Sequence, residues 1–227
     1  VDQAVRMIRR ELDPETALIG FSGSPWTLAN FMMEGGSARE FMGAKRMLYG
    51  DPALFERVCA MLSEVIIDYL NLQIRAGVDA VQIFDTLGGT LAGNQLEEGS
   101  LRWIRQIVAG LDPSVPCIVF SKGTRDWQAL AATGAQVIGV DWAEALPAVA
   151  DTLPSGVGVQ GNLDPAVLET HPEVARAQTR RILDEMKGRN GFVFNLGHGV
   201  RPTSQVDLMQ AVVETVQGYV SDGGQVS

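Results

Sequence analysis

Six short apolar runs, each closing on a polar or glycine-rich turn, constrain this chain more than any other feature. Three are Leu18–Ser22 into Gly23-Ser24-Pro25-Trp26, Val81–Phe84 into Asp85-Thr86-Leu87-Gly88-Gly89, and Cys117–Phe120 into Ser121-Lys122-Gly123. The others are Val137–Val140 into Asp141-Trp142, Val157–Val159 into Gln160-Gly161-Asn162-Leu163-Asp164, and Phe192–Phe194 into Asn195-Leu196-Gly197-His198-Gly199. Strands of a parallel sheet are covered on both faces, so they read as continuous apolar runs. In a barrel of such strands the chemistry sits in the loops at their C-terminal ends. The expected fold is therefore α/β, a (β/α)8 TIM-type barrel, with its site in the turns just quoted.

Helical patterns with recognisable ends separate the runs. Asp51-Pro52 supplies a cap residue and a proline at the first helical position. Leu54, Val58, Leu62, Val65 and Ile66 then follow the spacing of one buried face to about Arg75, and Gly77 is the stop. Shorter helices are expected over 125–133, before Gly134, and over 173–187, before Gly188. Thr203 or Ser204 is expected to cap a final helix with Leu208, Val212, Val213 and Val216 inward. The segment from about 23 to 78 is the longest crossover and must hold extra helix.

A closed barrel needs eight strands, and the runs supply six. The chain is thus expected to provide about six β-α units, the third to the eighth, of a natural chain of roughly 340 residues. No long linker, low-complexity tract or charge block interrupts it, so residues 1–227 are expected to form a single domain, the C-terminal three quarters of the barrel. A doubly wound open sheet is the alternative that six parallel strands allow.

A net charge of −9 argues against nucleic acid or an anionic membrane as partner. It also means that a polyanionic substrate binds only where local arginines or oriented N–H groups override the field. No apolar stretch approaches the roughly 20 residues that cross a bilayer. The opening Val1-Asp2-Gln3-Ala4-Val5-Arg6 has no signal-peptide character, so a cytoplasmic location is expected. Cys59 and Cys117 stand in unrelated contexts and read as buried apolar residues rather than a disulfide pair.

Neither a Walker-type loop nor a G-x-G-x-x-G fingerprint occurs, and Ser22-Gly23-Ser24 is not a nucleophile elbow. Two histidines and two distant cysteines make no clustered ligand set, so no metal is expected. His171, in Thr170-His171-Pro172, reads as a solvated loop residue. His198 lies between glycines directly after a strand, which presents its imidazole at the barrel mouth. Arg201 and Lys122 each read as either a substrate-facing cation or a solvated loop residue.

These segments carry a resemblance. Ile19-Gly20-Phe21-Ser22-Gly23-Ser24-Pro25-Trp26-Thr27-Leu28, Met33-Glu34-Gly35-Gly36, Phe84-Asp85-Thr86-Leu87-Gly88-Gly89, Gln160-Gly161-Asn162-Leu163-Asp164-Pro165 and Phe194-Asn195-Leu196-Gly197-His198-Gly199 resemble the bacterial type of the uroporphyrinogen decarboxylase family. The resemblance runs from end to end of the chain. It implies a cytoplasmic homodimeric barrel without cofactor. The implied reaction, in haem biosynthesis, converts the four acetate side chains of uroporphyrinogen III to methyls, giving coproporphyrinogen III and CO2. The resemblance further implies that His198 and Thr86 hydrogen-bond substrate carboxylates and that Phe84 is an aromatic wall over the macrocycle. Phe31 stands where the family has a tyrosine, so the ring is kept and the hydroxyl lost. The family's pyrrole-binding aspartate and principal arginines belong to the N-terminal quarter, which this sequence lacks. Asp85, Asp141 and Asp164 do not match that aspartate and are expected to anchor loops. The catalytic residue is thus unassigned, and residues 1–227 alone are expected not to decarboxylate.

Two other readings stand beside this one. A non-catalytic relative with a structural or interaction role is consistent with Phe31 and with the missing quarter. A corrinoid-linked methyltransferase shares the barrel, but its zinc site needs His and Cys where this chain has Phe120-Ser121-Lys122-Gly123.

Overall fold

In the computed structural model, which describes residues 1–36 and 41–219, strands alternate with helices along the chain. The order is α1 (Asp2–Glu11), β1 (Ile19–Gly23), α2 (Pro25–Glu34), α3 (Gly43–Gly50), α4 (Pro52–Ala76) and β2 (Ala80–Asp85). Then come α5 (Asn94–Leu96), α6 (Arg102–Gly110), β3 (Cys117–Ser121), α7 (Trp127–Ala131), β4 (Val137–Gly139) and α8 (Leu146–Thr152). The chain continues through β5 (Gly158–Leu163), α9 (Pro172–Glu185), β6 (Phe192–Leu196) and α10 (Val206–Gln217). All six expected strands are present, and the long first crossover holds α2, α3 and α4.

Two compact units divide the chain, Val1–Val137 and Ile138–Ser227, and the division falls inside β4. In the first unit β1 pairs in parallel with β2, Gly23 opposite Phe84, and β2 with β3, Asp85 opposite Ser121. The Gln136 N–H, just before β4, donates to the Cys117 carbonyl. In the second unit β5 pairs in parallel with β6, Asn162 opposite Asn195, and the Val140 N–H donates to the Gln160 carbonyl.

Helix ends follow the residues that announced them. Asp51 accepts the Leu54 N–H and Pro52 opens α4, while Gly77 takes the left-handed conformation that ends it. The buried face of α4 is not the one expected. It runs Phe55, Cys59, Ser63, Ile66, Leu70, Gln73 and Ile74, leaving Leu54 and Val65 exposed. Apolar residues surround this helix, and two of the buried positions are polar, which disguises the stripe. Ser63 returns its hydroxyl to the Cys59 carbonyl. Gln73 lies over Gly20, accepting from the Phe21 N–H and donating to the Phe21 carbonyl.

Two expectations for the last helix are also corrected. Thr203 donates to Glu169 and Ser204 accepts the Arg201 N–H, so neither caps α10, which starts after Gln205 without a side-chain cap. Its buried face is Leu208, Ala211, Val212 and Thr215, with Val213 exposed. Thr215 serves as a core residue because its hydroxyl donates to the Ala211 carbonyl.

Candidate active site

The turn after β2 is organised around a buried carboxylate. Asp85 is inaccessible to solvent, and four hydroxyls converge on it. Ser24 donates to Oδ1 at 2.6 Å and Thr27 to the same oxygen at 3.3 Å. Ser100 and Ser121 donate to Oδ2 at 2.8 and 2.9 Å. Ser24 also caps α2 by accepting the Thr27 N–H, so one hydroxyl both starts the helix and grips the acid. Burial pushes the Asp85 carboxyl above the ordinary carboxylate range, and the hydroxyl donors pull it part of the way back.

The residues that follow are held tightly. The Leu87 carbonyl accepts from the Trp26 indole at 3.0 Å, the Thr90 carbonyl from Lys45 at 2.6 Å, and the Lys122 carbonyl from the Gly89 N–H. A Cβ at Gly88 would collide with Ser121 Oγ and Asp85 Oδ2. That close approach is why glycine stands there. Thr86, half-buried at the start of this turn, keeps its hydroxyl without a partner among the described residues.

Beside it, ring edges meet ring faces along neighbouring strands. Phe84 lies 5.9 Å from Phe21 of β1 and 6.0 Å from Phe120 of β3, at interplanar angles of 80° and 66°. This T-shaped geometry is the favourable one for aromatic pairs. Phe21 is 60% exposed, so the ladder offers an apolar wall at its β1 end. Phe31, in the last turn of α2, is half-buried and packs edge-on against Phe41 at 5.2 Å.

In the second unit the turn after β6 carries His198. Gly197 donates to the Leu163 carbonyl at 2.7 Å and lies against the Trp142 backbone, too close for any side chain. The half-buried His198 ring meets the Trp142 ring at 6.0 Å, nearly perpendicular. Trp142 is itself placed by Asn162, which donates to the Asp141 and Glu144 carbonyls at 2.9 and 2.7 Å. Asp141 accepts the Ala143 N–H and Asp164 the Ala166 N–H, both as turn anchors. Arg201 is half-exposed, 3.8 Å from Glu169.

Sequence reasoning missed Phe21, Phe120 and Trp142, and the hydroxyl partners of Asp85. Phe120 had a signal, because Phe120-Ser121 occupies the same place at the end of its run as Phe84-Asp85. The hydroxyls had none, since they come from separate segments. Neither cysteine offers a reactive thiolate, for burial pushes both thiols up to about 12. Among the described residues no group of three His, Cys, Asp or Glu side chains could hold a metal ion, and no helix is long and apolar enough to cross a membrane.

Parallel strands with crossover helices, and side chains gathered at the strands' C-terminal ends, define an α/β protein of the barrel type. A methyltransferase from Methanosarcina mazei is similar in structure at a TM-score of 0.80 and 16% identity, over 95% of this chain and 63% of that one. At that identity the likeness shows the fold alone: a (β/α)8-type barrel of which this chain supplies six β-α units. The family model for uroporphyrinogen decarboxylase matches residues 1–219, and the chain belongs to that family. It is 46% identical to a uroporphyrinogen decarboxylase of Cellvibrio japonicus and 44% identical to one of Thioalkalivibrio sulfidiphilus, over 95% of this chain. The chain spans 62% and 63% of the length of these relatives.

Proposed function

We propose that the protein is a uroporphyrinogen decarboxylase of haem biosynthesis, removing the four acetate carboxylates of uroporphyrinogen III as CO2 without a cofactor. Membership of the family supports the reaction. The observation that carries the site is the Phe21–Phe84–Phe120 ladder next to the unpartnered Thr86 hydroxyl.

Breaking the bond to a carboxylate leaves an electron pair that needs a sink. Protonating a pyrrole carbon turns the ring itself into that sink; CO2 departs, a proton adds to the methylene carbon to complete the methyl, and the ring carbon gives its own proton back. The protein's work is then to hold a polyanionic ring and stabilise its transient positive charge. In this reading Phe84 is the wall over the macrocycle, and Thr86 and His198 donate to substrate carboxylates. Arg201 supplies a positive charge against the net −9 of the chain. Phe31 keeps the ring surface of the family's tyrosine without its hydroxyl. Asp85, Asp141 and Asp164 hold turns and take no part in proton transfer. The proposal includes a single barrel domain, a homodimer and a cytoplasmic location.

The test is anaerobic incubation of the intact protein with uroporphyrinogen III and chromatography of the products. Stepwise loss of carboxylates to coproporphyrinogen, with no added cofactor, is the expected result. Tight binding with no CO2 released would favour a non-catalytic role.

A further inference from the structure

Asp85 has a cost that its role as a turn anchor does not explain. A carboxylate buried away from water is expensive, and it persists only where donors satisfy both of its oxygens. Here its partners are four hydroxyls from three separate places. Ser24 and Thr27 begin α2, Ser100 lies in the turn leading into α6, and Ser121 ends β3, where Thr124 extends the network at 2.7 Å from it. A carboxylate has lone pairs for four donors, so the cluster is complete without a cation. The next residue along the chain is Thr86, whose hydroxyl is free among the described residues, and α2 carries Phe31. Gly88 closes the turn directly onto the same carboxylate.

We propose that Asp85 is the positioning residue of the substrate site, its carboxylate fixing the Thr86 hydroxyl and α2 by gathering Ser24, Thr27, Ser100 and Ser121. This rests on the reading of Thr86 as a donor to a substrate carboxylate. Asp85 touches no substrate; it acts through Thr86. Converging hydrogen bonds hold a polar group in one geometry more strictly than packing does, and misplacement of a binding group weakens both binding and turnover.

The experiment is a double-mutant cycle on the intact protein, with Asp85→Asn and Thr86→Ala read by kcat and KM for uroporphyrinogen and by thermal unfolding. Asp85→Asn keeps the shape but replaces acceptor lone pairs by N–H donors facing hydroxyls. It is expected to lower kcat/KM by about tenfold or more. In the Thr86→Ala background the same change is expected to cost about threefold or less, because the group it positions is gone. Equal costs in both backgrounds would make Asp85 merely structural and overturn the proposal. If Asp85→Asn does not fold, Ser100→Ala removes one donor, leaves the acid in place and goes through the same cycle with the same two outcomes. If Thr86→Ala leaves kcat and KM unchanged, the reading of Thr86 falls and this proposal with it. A damaging Thr86→Ala beside a harmless, well-folded Asp85→Asn overturns the positioning role alone.

Discussion

The turn that follows β2 closes around a buried anion, whereas the turn that follows β6 closes on backbone and an aromatic ring. In the first, Asp85 collects hydroxyls, and Trp26, Lys45 and Lys122 fix the backbone of residues 87–90. In the second, Gly197 is pinned to Leu163 and Trp142, but Gly199, Val200 and Arg201 beyond it are exposed. Both turns present a polar side chain just after a strand, buried in the case of β2 and only half-buried in the case of β6. The first is preorganised by a network reaching across three strand ends. The second is anchored at Gly197, and its histidine packs edge-on against the Trp142 ring. Similar motifs in sequence therefore conceal different surroundings.

The sharpest break of this comparison is Gly88→Ala against Gly199→Ala. The first adds a methyl where Asp85 and Ser121 already lie; the second adds one with nothing within 4 Å. Chemical denaturation should show Gly88→Ala costing about 3 kcal/mol and Gly199→Ala within about 0.5 kcal/mol of wild type. Equal costs would mean the β2 turn is no tighter than the β6 turn.

His198→Ala comes next. Losing one donor to a substrate carboxylate should lower kcat/KM of the intact protein by about tenfold, roughly 1.4 kcal/mol. Stability should change little, since the half-buried ring stands in an exposed turn. Unchanged kinetics would remove the second turn from the site.

A smaller gain is expected from Phe31→Tyr. A hydroxyl restored to the ring adds at most one hydrogen bond, so turnover should rise severalfold, up to about tenfold. No gain would show that another donor already serves that place.

The smallest effect tests the surface as a control. Glu97 is held below the ordinary range first by its hydrogen bond from Arg105, and Asp151 of the second unit by its bond from Arg189. Each lowered pKa contributes stability above the group's unfolded value, and that contribution disappears as pH falls through the folded one. Both sides of the Glu97–Arg105 pair are more than two-fifths exposed, so Glu97→Gln should cost at most about 0.5 kcal/mol near neutral pH. Its cost should vanish in acid, and a larger one would mean surface pairs matter here as much as the buried acid.

The sequence by itself determined that there are six strands, though not where β5 ends, since it runs through Leu163 past the turn expected from Gln160, and it determined both ends of α4. These depend on neighbours a few residues away: apolar runs, a cap residue beside proline, a glycine able to turn left-handed. His198 was legible as a site candidate in the same way, from its place between glycines after a strand, whereas Phe84 and Thr86 were candidates only through the family resemblance. Only the tertiary structure decided which stripe of α4 is buried, because apolar residues ring that helix and the choice falls to Gly20 and Phe21 beneath it. It also decided the surroundings of Asp85, whose four donors lie 15 to 61 residues away along the chain. A hydrogen bond forms by proximity in space, and no local pattern records which distant serine will arrive.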